Sequence, residues 1–405
     1  MRVSTQQIFE RGINQIQDVT AQQAKTQEQL ATGKRVLTPA DDPVASTRIL
    51  ELNQALSLNQ TYQRNIELVE GRLSLQDSTL GGINEVTQRI RELAVTAGNG
   101  ALSADDLSSI ADEVEQRLEQ LAGLINSQDA NGEYLFSGFQ GNVEPFQKNV
   151  SGAYEYYGDE GRRQVQIDAS VTIASTENGF QIFQDVKAES NTFYTVASAS
   201  NQAQPPGQIS AGLIIDQEEY DAFYPEDLVV EFTSPTQYSV RERSTGRSLL
   251  SNVTYQENQP IVVKGIQFEV SGSPTTGDAF FVESSAKQGL LTTVEKFVYT
   301  LRNFDATENG REVLTQGIDA AIANLDNAET SILAARGQIG ARLNTVETTK
   351  EQLKDVEVLT QEFLTDLESV DYAETVSLLS IQQFTLQAAY SSFSQITSLS
   401  LFDRL

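Results

Sequence analysis

One stripe of apolar residues near the C-terminal end constrains the fold of this 405-residue chain most strongly. From Ile318 to Val370, apolar residues recur at alternating steps of three and four, and 13 of these 16 positions are apolar. This heptad pattern is typical of a coiled coil, in which a helix buries its stripe against a partner helix. We therefore predict a long helix with core positions at Ile318, Leu325, Ile332, Ile339, Val346, Leu353 and Phe363.

Helical patterns at the N-terminal end supply the partner helices. The first pattern is too poor in apolar residues to fold alone, and it places Phe9, Ile13, Ile16 and Leu30 on one face. It breaks at Gly33, and Asp42 followed by Pro43 predicts the start of a second helix, with Asp42 as its N-cap. Residues 103–106 resemble a capping box that begins a third helix.

The middle of the chain has a different pattern. Short β-rich runs, among them residues 180–183, are separated by Gly, Pro and Asn, as in a sandwich or barrel. We therefore predict an α+β fold: an elongated antiparallel coiled-coil rod built from both chain ends, with an inserted β-rich outer domain. The predicted parts are an N-terminal inner helix at 1–45, the rod halves at 46–145 and 285–365, the inserted domain at 146–284 and a C-terminal inner helix at 366–405.

The C-terminal tail is unusual because residues 375–402 contain no charged residue, whereas 21% of the whole chain is charged. Half of these tail residues are Ser, Thr or Gln, so a membrane helix is excluded. Apolar residues form one stripe and a second stripe beside it, and an uncharged helix of this kind is usually buried on several sides. We expect this burial among several subunits, through the terminal helices, at Val376, Leu379, Leu386, Tyr390 and Phe393, together with the N-terminal residues Phe9, Ile13, Ile16 and Leu30.

Composition excludes many functions. The chain has no His and no Cys, so imidazole bases, thiol nucleophiles and the usual zinc sites are absent, and we predict no enzyme activity, metal or cofactor. A net charge of -28 disfavours nucleic acid and anionic membrane as partners. The acidic run 216–227 suggests either a calcium site or a solvated loop, but its spacing does not match an EF-hand.

Several motifs carry a resemblance to a known family. Residues 30–43 read LATGKRVLTPADDP, which resembles the N-terminal signature of the flagellin superfamily, and residues 398–402 are similar to the end of its closing helix. The family's helical subunit-contact segment, which an innate immune receptor senses in many flagellins, is similar to the stretch Gln88, Arg89, Ile90, Arg91, Glu92 and Leu93. Within the superfamily, the start MRVST, the element NGEYLFSG at 131–138 and the run GIQFEV at 265–270 resemble the hook–filament junction proteins.

The resemblance implies a structural subunit of the bacterial flagellum. Such subunits are exported unfolded through the flagellar type III apparatus, without a cleaved signal, and their terminal helices order on assembly. The implied partners are a first hook–filament junction protein, flagellin, further copies of the chain in a homo-oligomeric ring, and an export chaperone for the C-terminal helix. The start of the sequence agrees, because it lacks the apolar core of a secretory signal.

Two other functions remain open from the sequence. One is a filament flagellin with a β-type outer domain. The other is an extracellular adhesin or glycan-binding module within 146–284, whose aromatic residues would stack on sugars: Tyr154, Tyr156, Tyr157, Tyr220, Phe223 and Tyr224.

Overall fold

The computed structural model describes residues 5–402, and its backbone forms long helices near both ends with strands between them. The helices are α1 (Thr5–Thr32), α2 (Pro43–Ala97), α3 (Ala104–Ile125), α4 (Gln217–Phe223), α5 (Leu290–Arg302), α6 (Glu308–Glu368) and α7 (Tyr372–Phe402). The strands are β1 (Phe146–Lys148), β2 (Tyr154–Tyr156), β3 (Gln164–Gln166), β4 (Thr172–Ala174), β5 (Lys187–Ala197), β6 (Gln208–Ile209), β7 (Leu213–Ile214), β8 (Leu228–Ser234), β9 (Gln237–Glu242), β10 (Ser248–Thr254), β11 (Ile261–Val263), β12 (Ile266–Phe268), β13 (Val270–Ser271) and β14 (Ala279–Lys287).

The chain folds into two compact units. One unit consists of the described parts of 1–64 and 348–405, and the other consists of 65–347. The first unit therefore holds α1, α7 and the adjoining ends of α2 and α6. The second unit holds the remainder of those two long helices, together with α3, α4, α5 and all the described strands.

The helix starts follow from local sequence. At the start of α2, the Asp42 carboxylate accepts a hydrogen bond from the backbone N–H of Ala45 (2.9 Å), so the predicted N-cap is confirmed. At the start of α3, the Ser103 hydroxyl accepts from the Asp106 N–H (3.2 Å), and the Asp106 carboxylate accepts from the Ser103 N–H (3.0 Å). This reciprocal pair is the predicted capping box.

The two long helices run antiparallel in both units. In the larger unit, Arg336 of α6 pairs with Asp77 of α2 (2.9 Å), and Arg91 of α2 pairs with Asp326 of α6 (2.5 Å). In the smaller unit, the Asn59 side-chain amide of α2 donates to a backbone carbonyl of α6 (2.8 Å). The apolar stripe of α6 is buried along this pairing at six of its predicted core positions: Ile318, Leu325, Ile332, Ile339, Val346 and Leu353.

The seventh predicted core position, Phe363, is not buried, so this part of the prediction is wrong. Its side chain is 49% exposed, and its neighbour Leu364, which is 4% exposed, takes the buried position. Thr349, Leu353 and Thr360 are buried at positions of the predicted stripe, so the displacement at Phe363 and Leu364 is local. A straight α-helix drifts by about 20° per heptad relative to a strict 3.5-residue repeat, which favours burial of the later residue, Leu364.

Strands of the larger unit form antiparallel sheets around an apolar core. The largest sheet has the order β10-β9-β8-β14-β5, and a three-stranded sheet has the order β11-β12-β7. Both sheets contribute to one core, with Val230 and Phe280 from the first sheet and Ile266 and Phe268 from the second. The shorter pairs are β1-β2, β3-β4 and β13-β6. The predicted combination of terminal helices with a β-rich insertion is thus confirmed.

Two segments differ from their sequence patterns. The predicted strand 180–183 is a π-helical turn (Phe180–Gln184), in which the Phe180 carbonyl accepts from the Asp185 N–H (2.7 Å). The turn buries Phe183, whose ring packs edge-on against that of Phe136 at 5.3 Å between centroids. The acidic run 216–227 contains the short helix α4, because Asp216 caps it and its Tyr220 ring enters the core.

Candidate assembly surfaces

The segment 30–43 forms a junction where both terminal helices meet the long helix pair. Gly33 has a φ of +70°, which a residue with a Cβ adopts only at a cost, and its carbonyl accepts from the Val370 N–H (3.0 Å). Beside it, the Arg35 N–H donates to the Glu368 carbonyl (2.6 Å), and Lys34 forms an ion pair with the Glu368 carboxylate (2.8 Å). The junction therefore sets the points at which α1 ends and α7 begins.

Asp41 holds the turn of this junction. Its carboxylate pairs with Lys25 of α1 (2.5 Å) and accepts from the backbone N–H groups of Leu37 (3.1 Å) and Thr38 (2.8 Å). The hydrogen bond from Lys25 and those from the backbone lower the Asp41 pKa to about 2. Both acids of the segment thus have a structural role, Asp41 in the turn and Asp42 as the α2 cap.

The terminal helices α1 and α7 pack against each other along one face. Phe393 of α7 lies over Gly12 of α1, where an added Cβ would stand 3.2 Å from its ring. Several predicted assembly residues are partly buried in this way within the single chain: Ile16, Leu30, Leu379, Leu386 and Phe393. Phe9 belongs to α1, but its side chain lies outside the described residues.

Other apolar residues of these helices face away from that contact. Ile13, Val376 and Tyr390, which were also predicted to take part in assembly, are exposed. The second stripe of α7 is more exposed still, with Ile381 at 61% and Phe384 at 74%. The described part of α7 therefore presents an uncharged apolar face that its pairing with α1 does not cover.

The predicted contact segment of α2 is divided between two environments. Ile90 and Leu93 are buried in the chain's own core, so a direct contact of their side chains with another subunit is excluded in this fold. Arg91 is occupied by its pair with Asp326. The helical period accounts for the division, because residues three positions apart, such as Ile90 and Leu93, lie on the same face of a helix.

The remaining residues of that segment lie at the surface. Gln88 donates to the Glu329 carboxylate of α6 (2.8 Å), and Arg89 bridges Glu92 (3.0 Å) and Glu113 of α3 (2.9 Å). These three residues, Gln88, Arg89 and Glu92, form the exposed polar face of the segment.

A charged cluster at the base of the inserted domain was not predicted. The Glu177 side chain is 2% exposed and pairs with Arg162 (3.1 Å) and with Arg342 of α6 (2.5 Å). Gln76 of α2 adds two hydrogen bonds, donating to the Leu135 carbonyl (2.6 Å) and accepting from the Glu177 N–H (3.2 Å). One feature of the sequence pointed to this cluster: Arg342 is the only charged residue among the 16 stripe positions, and a charge in an apolar stripe needs a partner of opposite charge.

The element 131–138 is fixed by a second set of ion pairs, which the Gln76 hydrogen bond to Leu135 joins to the Glu177 cluster. Glu133 pairs with Arg72 of α2 and with Arg163 (2.7 Å), while Leu135 and Phe136 are buried. Within the described part of the chain, no group of three acidic side chains could hold a metal ion. In that same part, no helix is long and apolar enough to cross a membrane.

Comparisons with known proteins agree with this geometry. The model of the bacterial flagellin N-terminal helical region matches residues 3–141, and that of the C-terminal helical region matches residues 322–404. Flagellar hook-associated protein 3 of Salmonella typhimurium is 26% identical over 402 residues, which cover 99% of each protein.

Solved structures give the same result. Flagellar hook associated protein-3 of Legionella pneumophila superposes with a TM-score of 0.54 at 25% identity, covering 79% of this chain and 98% of that chain. FlgL of Xanthomonas campestris gives a TM-score of 0.52 at 26% identity, covering 78% of this chain and 99% of that chain. The chain therefore belongs to the flagellin superfamily of flagellar structural proteins and, within it, is similar to flagellar hook-associated protein 3 over 99% of its length.

Proposed function

We propose that this protein is a structural subunit of the bacterial flagellum that joins the hook to the filament. The exposed apolar face of α7 carries the proposal, because Ile381 and Phe384 lie on a helix segment with no charged residue. The full-length similarity to flagellar hook-associated protein 3 supports it.

Assembly through the terminal helices would be driven by the burial of apolar side chains that the single chain leaves exposed. Full burial of a large apolar side chain is worth about 1.5–3 kcal/mol, and pairing of α1 with α7 leaves part of this free energy unused. Neighbouring subunits would cover the second stripe, so that copies of the chain form a ring. The ring would rest on a first junction protein and offer flagellin a surface to add to. Before assembly, an export chaperone would cover the same face of α7.

A double variant tests the assembly face. We expect Ile381→Ser with Phe384→Ser to prevent filament growth, because polar side chains would be buried at the subunit contact. The measurement is the fraction of hooks that carry filaments, in cells that lack the native gene and express the variant. Exported variant in the medium is measured in parallel, so that failed export is distinguished from failed assembly.

Val262→Ser is the matched control, since Val262 is also an exposed apolar residue (51%) but lies on β11, far along the chain from α7. Normal filaments with the control and bare hooks with the double variant would support the proposal. Normal filaments with both would contradict assembly through α7.

Gene deletion distinguishes a junction protein from a filament subunit. For a junction protein, we expect hooks without filaments and flagellin monomer in the medium. Absence of any flagellin from the medium would instead identify this chain as the filament protein.

A further inference from the structure

A small cavity in the larger unit has four aromatic residues among its lining. Its volume is about 230 Å³, and its lining includes Tyr154 and Tyr156 of β2, Phe180 of the π-helical turn and Tyr194 of β5. Tyr156 and Phe180 pack with 5.8 Å between ring centroids. The four rings come from three separate elements, so the tertiary fold assembles the cavity.

The hydroxyl groups of two of these tyrosines are already used by the protein. The Tyr156 hydroxyl donates to the Asp159 carbonyl (2.7 Å), and the Tyr194 hydroxyl donates to the Glu283 carboxylate. These two residues therefore offer ring surface to a ligand. Ring faces carry partial negative charge and attract cations.

A largely buried carboxylate, which forms no ion pair among the described residues, completes the cavity. Glu295 of α5 lines it and accepts one hydrogen bond, from the Tyr154 backbone N–H (3.0 Å). Among the described residues Glu295 forms no ion pair, and burial raises its pKa to about 7, partly offset by that hydrogen bond and by Lys148. The Lys148 ammonium itself lies 5.2 Å from the Tyr154 ring centroid, which shows that this ring can accept a cation.

We propose that the cavity bounded by Tyr154, Tyr156, Phe180, Tyr194 and Glu295 binds a small organic ammonium ion. The aromatic rings would surround the cationic head, and Glu295 would neutralise it. A neutral ligand of the same shape gains neither interaction, so recognition depends on charge.

Calorimetry on the full-length protein at pH 8, where Glu295 is ionised, tests the proposal with choline as the probe. We expect a dissociation constant of about 1 mM or tighter. The control ligand is 3,3-dimethyl-1-butanol, in which carbon replaces the charged nitrogen, and it should bind at least tenfold more weakly.

Two variants of the lining test the residues. Glu295→Gln preserves the acceptor for the Tyr154 N–H, and Tyr194→Ala removes a ring that is partly exposed, so each variant should keep the fold. Each should lower the affinity for choline at least tenfold. Tyr157→Ala is the matched control, because Tyr157 is an exposed tyrosine adjacent to β2 that does not line the cavity. It should bind choline as the native protein does.

Three results would overturn the proposal. They are no detectable choline binding at 20 mM, equal binding of the uncharged analogue, and binding of methyl glucoside in place of choline. The last result would assign the cavity to sugars. None of these measurements depends on flagellar assembly.

Discussion

Glu295 and Lys296 are consecutive residues of α5 with opposite charges, yet the helix turns them toward different surroundings. Glu295 lies at the aromatic cavity. The Lys296 ammonium donates to the Thr192 hydroxyl (2.7 Å) and the Phe193 carbonyl (2.6 Å) and lies 4.2 Å from the Phe193 ring centroid. Burial raises the Glu295 pKa from 4.5 to about 7 and lowers the Lys296 pKa from 10.5 to about 7.

These shifts predict a specific pH dependence of stability. The folded-state pKa of Glu295 lies above its unfolded value, so its favourable contribution is complete below about pH 4.5 and is lost as the pH rises to about 7. Glu295→Gln removes this loss, and the variant should gain about 3 kcal/mol over the native protein between pH 4.5 and pH 8. Urea denaturation at pH 4.5 and pH 8 measures the difference.

Lys296→Met provides the opposite control. The folded-state pKa of Lys296 lies below its unfolded value, so its favourable contribution is complete above about pH 10.5 and is lost as the pH falls to about 7. The advantage of this variant should therefore appear between pH 10.5 and pH 7 and change little at lower pH. A constant stability difference across pH for both variants would show that neither pKa is shifted.

At the scale of single elements, α6 shows how a repeat is adjusted to its partner. The first six predicted core positions are buried, but near the C-terminal end of the helix the buried face passes from Phe363 to Leu364. A continuous heptad pattern in the sequence does not reveal this change, because apolar residues occupy both positions. Only packing against the rest of the smaller unit selects one of them.

Alanine substitution at these two neighbours tests that assignment. Leu364→Ala should lower the free energy of unfolding by about 3 kcal/mol, because it leaves a cavity in a packed core. Phe363→Ala should cost less than about 1 kcal/mol in the monomer, because half of its ring is exposed. Thermal unfolding measures the loss of stability in each variant. A larger loss for Phe363→Ala than for Leu364→Ala would support the strict heptad instead.

At the scale of the whole molecule, charge opposes assembly. Each copy carries a formal net charge of -28, so copies that approach each other repel, although the contact helix α7 is uncharged between 375 and 402. Salt shortens the range of this repulsion, to about 8 Å at physiological ionic strength.

Self-assembly of the purified protein should therefore increase with salt. We expect a higher assembled fraction, measured by light scattering, when sodium chloride is raised from about 20 mM to about 300 mM, where the screening length is well below 10 Å. The Ile381→Ser, Phe384→Ser double variant should not respond. Assembly that falls with salt would mean that specific ion pairs dominate the contact.

Much of the fold could be predicted from local sequence. The N-cap at Asp42 and the capping box at Ser103 involve residues within three positions of each other, so their outcome is decided locally. The segment 180–183 could not be predicted in this way. Its aromatic and β-branched residues suit a strand, but contact between the Phe183 and Phe136 rings stabilises a helical turn.

The candidate surfaces show the same division. The apolar contact face of α7 was predicted because the absence of charged residues can be seen directly in the sequence. The cluster around Glu177 could not be predicted, because it joins residues that are far apart in the chain. Tyr220, one of the aromatic residues considered for sugar stacking, lies in the core, where its hydroxyl donates to the Thr192 carbonyl (2.6 Å).

The sequence by itself determined that both chain ends are helical, that the middle is rich in strands, and that the tail has more apolar surface than one partner can cover. These properties depend on residue spacing and composition, which are local. Only the tertiary structure decided which apolar face is buried within the chain, which remains exposed, and how four aromatic rings and a carboxylate come to line one cavity. These depend on contacts between distant segments, and the energy of such a contact is fixed only when both sides are in place.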